Sequence, residues 1–291
     1  MPGHSAGQGQ AAQGPTHLAG TAIGPDQLSN LAVGGQLSAR NQSHSRVHTL
    51  IEAGCICTVC SSMPLLPRRF ERIKAVLNRR MGDLTVLLEQ VDKPHNLSAI
   101  LRSCDAVGVL EAHVVSLRGR QATFNKTAQG SQKWVPLHAH ADSSAVIRQL
   151  KDQGFRLYGT HLSAQAVDYR SCDYTGPTAF VLGAEKWGLS PQTTALVDQA
   201  IVIPMQGMVQ SLNVSVATAT LLFEALRQRQ AAGLVPSQGQ GVPADRYADI
   251  LFEWAYPQVA AWCRSQGRPY PGLTADGAIN EDLPRNLRLR C

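Results

Sequence analysis

The chain has 291 residues, of which 44% are hydrophobic, 16% charged and 5% aromatic, and its formal net charge is +6. That length suits one catalytic domain with extensions, and the hydrophobic fraction is enough for a packed core. No window approaches the roughly 18 consecutive apolar residues of a transmembrane helix, and no basic n-region precedes an apolar h-region as in a secretory signal.

Residues 1–62 carry Arg40, Arg46, Asp26 and Glu52, which cancel, so the whole positive charge lies in residues 63–291. A basic domain favours an anionic partner, nucleic acid first. Gly, Ala, Gln and Ser fill 26 of the first 46 positions, and no aromatic residue precedes Phe70. Such a segment buries too little apolar surface to offset its chain entropy, so residues 1–62 are expected to be a disordered, dispensable leader with Met63 as the functional start. The run Cys55-Ile-Cys57-Thr-Val-Cys60 has only His48 nearby as a fourth ligand and reads as incidental rather than as a zinc site. Seven cysteines form no regular framework, which together with the missing signal favours a reducing, cytoplasmic setting.

Folded patterning starts near residue 63. Leu66, Phe70, Ile73 and Leu77 recur at helical spacing within an expected basic helix over 63–81, and Arg68, Arg72 and Arg79 fall on the opposite face. That face suits either solvent or a row of phosphates. An α/β domain over 82–232 follows. Its expected strands are Leu84–Val91, Ala112–Leu117, Phe155–Thr160, Thr178–Leu182 and Ile201–Ile203. Its expected helices are Asn96–Val107, Ser143–Gln153 and Gln210–Gln230, the last with a Leu212, Val216, Ala219, Phe223, Leu226 stripe. Strands alternating with helices imply a mainly parallel sheet. Residues 233–291 read as a helical extension: a Gly/Gln/Pro linker over Pro236–Pro243, then helix over Ala244–Gln266 broken at Pro257.

Three segments carry polar residues where a ligand would sit. The first runs from Asn96 through Arg102 to Gly108. Asn96 starts the helix as a cap would, Arg102 points away from the Leu97, Ile100, Cys104 face, and Gly108 closes the helix. The second, Leu182-Gly183-Ala-Glu185-Lys-Trp-Gly188-Leu-Ser190, follows a strand directly, at the end where open α/β sheets bind ligands. It lacks the Lys-Ser/Thr of a P-loop. The third runs from Ile203 to Ala217 and places Ser211 and Asn213 on either side of Leu212 after a Pro/Gly loop, a pattern better suited to a ligand site than to capping alone. Gly239-Gln-Gly241-Val-Pro-Ala244 mimics a dinucleotide-binding pattern but follows no strand.

In order and spacing the trio resembles the three motifs of the SpoU branch of the SPOUT methyltransferases, over about residues 63–290. The run Leu84–Asn96, the segment Thr160-His-Leu-Ser and the Leu251–Pro271 stretch resemble its tRNA guanosine-2'-O-methyltransferase group, the TrmH type. The resemblance implies an α/β fold with a C-terminal trefoil knot, a homodimer, and S-adenosylmethionine as methyl donor to the ribose of guanosine 18 in tRNA. It implies catalytic roles for Asn96, Arg102, Glu185, Ser211 and Asn213, and cofactor contacts at Thr160, Gly183, Ile203 and Leu212. Arg68, Arg72 and Arg79 are then candidates for RNA binding. Two alternatives stand beside it: a ribose methyltransferase for another tRNA or rRNA nucleotide, and an inactive RNA-binding protein, against which the intact motif residues argue.

Overall fold

The strand Leu84–Glu89 (β1) is buried at all six positions, as expected of a strand covered on both faces. It lies near the middle of a seven-stranded sheet, seen in a computed structural model that describes residues 66–116, 133–281 and 283. The leader over 1–62, with Cys55, Cys57 and Cys60, lies outside the described residues. The other strands are Ala112–Val115 (β2), Leu137–His140 (β3), Arg156–Thr160 (β4), Val167–Asp168 (β5), Thr178–Gly183 (β6) and Gln199–Val202 (β7). Their order is β3-β2-β1-β6-β4-β7-β5, and every neighbouring pair is parallel.

Alternation along the strands sends side chains to two cores. Val86, Leu88, Phe180 and Leu182 pack with helices Pro94–Val107 (α2) and Val214–Ala231 (α5). Leu87, Ala179 and Val181 face the other way, onto Val146, Ile147 and Leu150 of Ser143–Asp152 (α3). Each such side chain, fully buried, contributes roughly 1.5–3 kcal/mol. Pro94 opens α2 at its first turn, and Gly108 ends it at φ 91, where a Cβ would stand 2.9 Å from the Arg79 carbonyl oxygen.

The N-terminal helix α1 covers Pro67–Leu77 and buries Phe70, Ile73 and Leu77. It is shorter than the 63–81 expected, so Arg79 lies beyond its end, and Leu66 is exposed rather than part of the buried stripe. The next residue, Arg80, is fully buried. It donates to the Val109 carbonyl at 3.0 Å, pairs with Asp105 and stacks over Trp254. The C-terminal helices are Ala244–Ala255 (α6) and Pro257–Ser265 (α7), divided at Pro257 as read. The segment before them is docked rather than free-running: Gly82 N donates to Gly241 O at 2.7 Å, Gly239 N donates to Asn78 O at 3.0 Å, and Val242 is buried.

Two further differences matter below. The buried residues of α5 are Val214, Thr218, Leu221, Leu222, Ala225 and Arg229, whereas Val216 and Phe223 of the expected stripe are exposed. The short β3, β5 and a one-and-a-half-turn helix at Pro191–Leu196 (α4) carry too little periodicity to be read. No described helix is long and apolar enough to cross a membrane.

Candidate active site

The three motifs meet at the C-terminal ends of β1, β4, β6 and β7, where an open parallel sheet leaves backbone groups unpaired for a ligand. After β6 the chain makes a tight turn in which Gly188 N donates to Ala184 O at 2.8 Å, with Gly188 at φ 66. A Cβ on Gly183 would overlap the Gly188 carbonyl, so this turn requires glycine there. Glu185 rides on the turn. The far end of the turn, at Ser190, is held by Glu89, which is 3% exposed. Glu89 accepts from Ser190 N at 2.7 Å, Ser190 Oγ at 2.9 Å and Thr193 Oγ1 at 2.5 Å. Sequence reasoning missed Glu89; the available signal was a carboxylate inside an otherwise apolar strand run.

Glu185 is the hub of a network drawn from all three motifs. Its Oε1 accepts from Asn96 Nδ2 at 3.1 Å and from Asn213 Nδ2 at 2.6 Å, and its Oε2 pairs with Lys93. Asn213 Nδ2 also reaches Asn96 Oδ1 at 3.2 Å. The Lys93 ammonium first, and the Asn96 amide after it, hold the Glu185 carboxyl below its ordinary range. Asn213 is at the same time the N-cap of α5, its Oδ1 accepting from Ser215 N at 2.8 Å. Capping and site formation are therefore one arrangement: the cap oxygen fixes the side chain and frees the amide to face Glu185. Asn96 proves not to be a cap. It lies inside the first turn of α2, buried, and its side chain bonds Glu185 and Asn213 instead.

Two cavities open on this corner. One, of about 480 Å³, is lined by Thr160, Gly183, Ile203 and Leu212, together with Glu185 and Ser211. Leu182, Ile201 and Val214 supply apolar wall, and His161, Lys186 and Gln210 add further polar groups. The second, of about 500 Å³, is bounded by Gln90–Lys93 and Asn96 and shares Ala184–Trp187 and Val214 with the first. Thus eight of the nine residues expected for catalysis and cofactor contact gather at one place. The ninth, Arg102, is exposed on α2 and lines neither cavity. It stands six residues beyond Asn96, roughly 9 Å along the helix axis and turned away from it. Arg68 and Arg72 project from the exposed side of α1, and Arg79 is exposed just beyond it.

Comparison with known proteins agrees with this assembly. Residues 83–223 match the model of the SpoU rRNA methylase family, and residues 227–282 match the model of the SpoU rRNA methylase C-terminal region. A Thermus thermophilus protein named tRNA (guanosine(18)-2'-O)-methyltransferase is 57% identical over 64% of this chain and 95% of its own length. An Escherichia coli protein of the same name is 47% identical over 74% of this chain and 94% of its own. A crystal structure described as an A. aeolicus TrmH/SpoU tRNA modifying enzyme superposes with a TM-score of 0.62 at 41% identity, covering 67% of this chain and 99% of that one.

Proposed function

The chain belongs to the SpoU methylase family, and from that premise we propose that it transfers a methyl group from S-adenosylmethionine to the ribose 2'-hydroxyl of guanosine 18 in tRNA. The observation that carries this reading is the closed corner of Asn96, Glu185 and Asn213 on the wall shared by two cavities. Methyl transfer to an oxygen needs two reactants held in line across one wall, and two adjoining cavities provide that division.

The residues present suit the cofactor. The 480 Å³ cavity combines apolar walls, fit for an adenine ring and a methionine side chain, with Thr160, Ser211 and strand-end backbone groups for the polar ends. Thr160, Gly183, Ile203 and Leu212 would hold it. When bound, S-adenosylmethionine supplies an electrophilic methyl group on a sulfonium. The rest falls to the chain. The amides of Asn96 and Asn213, fixed by Glu185, orient the ribose, and Ser211 closes the cofactor side. The hydroxyl sheds its proton to an RNA phosphate or to water as the new bond forms. Arg102 lines neither cavity of its own chain, so it serves that step from the second copy of the dimer, as a cation holding an RNA phosphate or stabilising the developing alkoxide.

The same reading includes a homodimer and a trefoil knot. Val216 and Phe223 leave α5 with an apolar face about half exposed, and Leu162, Trp187 and Met208 are exposed on the loops beside the cofactor cavity. Surface of this kind calls for a second copy. The knot rests on the family membership, and the strand order, with β7 between β4 and β5, is compatible with it. Arg68, Arg72 and Arg79 bind tRNA phosphates, and the enzyme works in the cytoplasm beside its substrate.

The test is to incubate the full chain with labelled cofactor and unmodified tRNA transcripts and to map the product. Label confined to 2'-O-methylguanosine at position 18 is expected; label at another nucleotide, or none, would overturn the reading. Sedimentation at micromolar concentration should show a dimer, and a monomer alone would remove the second-copy interface.

A further inference from the structure

The second cavity, of about 500 Å³, sets the polar side chains of Gln90, Asp92, Lys93, Asn96, Glu185 and Lys186 among Val91, Ala184, Trp187 and Val214. Lys93 and Asn96 bind Glu185. One carboxylate oxygen of Asp92 accepts from Ser116 Oγ at 3.2 Å. Lys186 holds its ammonium over the Trp187 ring, and two side chains keep unpaired hydrogen-bonding groups. The second oxygen of Asp92 has no partner among the described residues, and neither has the side-chain amide of Gln90. Gln90 is also the only described non-glycine residue with positive φ, at 57°. Glutamine gains nothing from the left-handed region, and strain of this kind persists only where the surroundings impose it. Here they do. Glu89 on one side is held by Ser190 and Thr193, Val91 on the other is buried, and Gln90 N donates to Val115 O at 2.9 Å.

Resting on the guanosine reading above, we propose that this cavity takes the target nucleobase and that Gln90 and Asp92 select guanine. Guanine presents N1–H and a 2-amino group as adjacent donors beside the O6 acceptor. The free oxygen of Asp92 accepts from the donors, and the Gln90 amide donates to O6. Adenine would set its N1 lone pair against the Asp92 carboxylate and offer no acceptor in place of O6. A site built to hydrogen-bond one edge rejects a base lacking it, because its own polar groups are left unpaired. The wall shared with the cofactor cavity then sets the ribose of a base held here beside the methyl donor.

The experiment measures single-turnover methyl transfer by the full chain on tRNA transcripts carrying guanosine, inosine or adenosine at position 18, beside calorimetric binding of S-adenosylmethionine. Gln90→Gly accepts the same backbone angle, and Asp92→Asn keeps the shape while removing the charge. Wild type should favour guanosine over inosine, which lacks the 2-amino group, by roughly tenfold, and over adenosine by more. Asp92→Asn should lower the guanosine rate by roughly ten- to a hundredfold and close the gap to inosine. Gln90→Gly should lower guanosine and inosine alike, since both keep O6. Cofactor binding should not change in either variant. Asp92→Asn that still favours guanosine over inosine as wild type does, or Gln90→Gly that keeps wild-type rates on guanosine and inosine, would overturn the proposal. If wild type methylates a different tRNA nucleotide, the guanosine-18 reading fails, and the same base series placed at that nucleotide decides the pocket: unchanged discrimination in both variants overturns it. A wild type that methylates no tRNA overturns both.

Discussion

Arg229 and Glu185 are each the hub of a polar network, at opposite ends of the same parallel sheet, and they are treated in opposite ways. At the N-terminal ends of the strands, Arg229 is 1% exposed. It donates to Asp83 Oδ1 at 2.6 Å and to the carbonyls of Tyr174 at 3.0 Å, Asp83 at 3.1 Å and Gly176 at 2.7 Å. Arg80 closes the neighbouring gap between α1, α2 and α6 in the same buried way. At the C-terminal ends, Glu185 sits on an exposed turn between two open cavities, with Trp187 and Met208 uncovered nearby. One end spends its polar groups on its own backbone and gains rigidity. The other bonds them side chain to side chain beside open cavities, where a ligand can reach them.

Substitutions should separate the two ends, and the largest effect is expected at the clamp. Arg229→Met removes the donors of three backbone carbonyls at once and should lower unfolding free energy by about 3 kcal/mol. Asp83 is half-exposed and can rehydrate, so the loss comes mainly from the carbonyls. Glu185→Gln should leave the denaturant midpoint near wild type while turnover falls. A stability loss of equal size in both variants would erase the distinction.

Next is acid sensitivity, which also belongs to the clamp end. His113 is buried on β2 beside His138 and His140 and near Glu111, itself bound by His138 and Arg246. Burial first, and the two neighbouring imidazoles after it, push the His113 pKa down to about 4. Its folded value lies below the unfolded one, near 6.5, so the neutral form is favoured in the fold. Stability is complete above about pH 6.5 and declines as pH falls toward 4, by roughly 3 kcal/mol in all. Glu111, held near 2 chiefly by the His138 hydrogen bond, adds a further loss below about pH 4.5. Denaturant titrations from pH 7 to 4 should show this decline, and His113→Gln should flatten it. An unchanged slope in His113→Gln would place the acid sensitivity elsewhere.

The smallest effect is expected far from both networks. Replacing Arg68, Arg72 and Arg79 together by Gln should leave folding unchanged and flatten the salt dependence of tRNA affinity by roughly two to three units in log–log slope. An unaltered slope would make this face merely solvated.

Much of this was legible in the sequence, and the failures have physical causes. The apolar run from Leu84, the glycines at 108, 183 and 188 and the break at Pro257 each impose their local geometry with little help from the rest of the chain. The strand ends at Glu89 rather than Val91 because Gln90 turns left-handed, a tertiary constraint with no local sign. The α5 stripe was misplaced because that helix has two apolar faces. Val216 and Phe223 are as hydrophobic as Leu221 and Leu222, and periodicity cannot say which face meets the sheet. Arg80 reads as one more surface cation, since only the positions of Asp105, Val109 and Trp254 reveal it as a buried clamp. Asn96, Glu185 and Asn213 could be named individually, whereas their mutual bonding depends on how the loops fold together.

The open end is held to be a methyl-transfer site that recruits Arg102, and one measurement addresses that most directly: single-turnover methyl transfer by Arg102→Ala at saturating tRNA, beside calorimetric cofactor binding and thermal unfolding. Arg102 is exposed and contributes nothing to the core of α2, so folding and cofactor affinity should match wild type. An interaction made mainly in the transition state should be lost, lowering turnover by roughly a hundredfold. Arg102→Lys should fail nearly as badly, because lysine lacks the planar fork that grips a phosphate through two hydrogen bonds. Near-normal turnover in Arg102→Ala would contradict the assignment of this residue and the chemistry built on it.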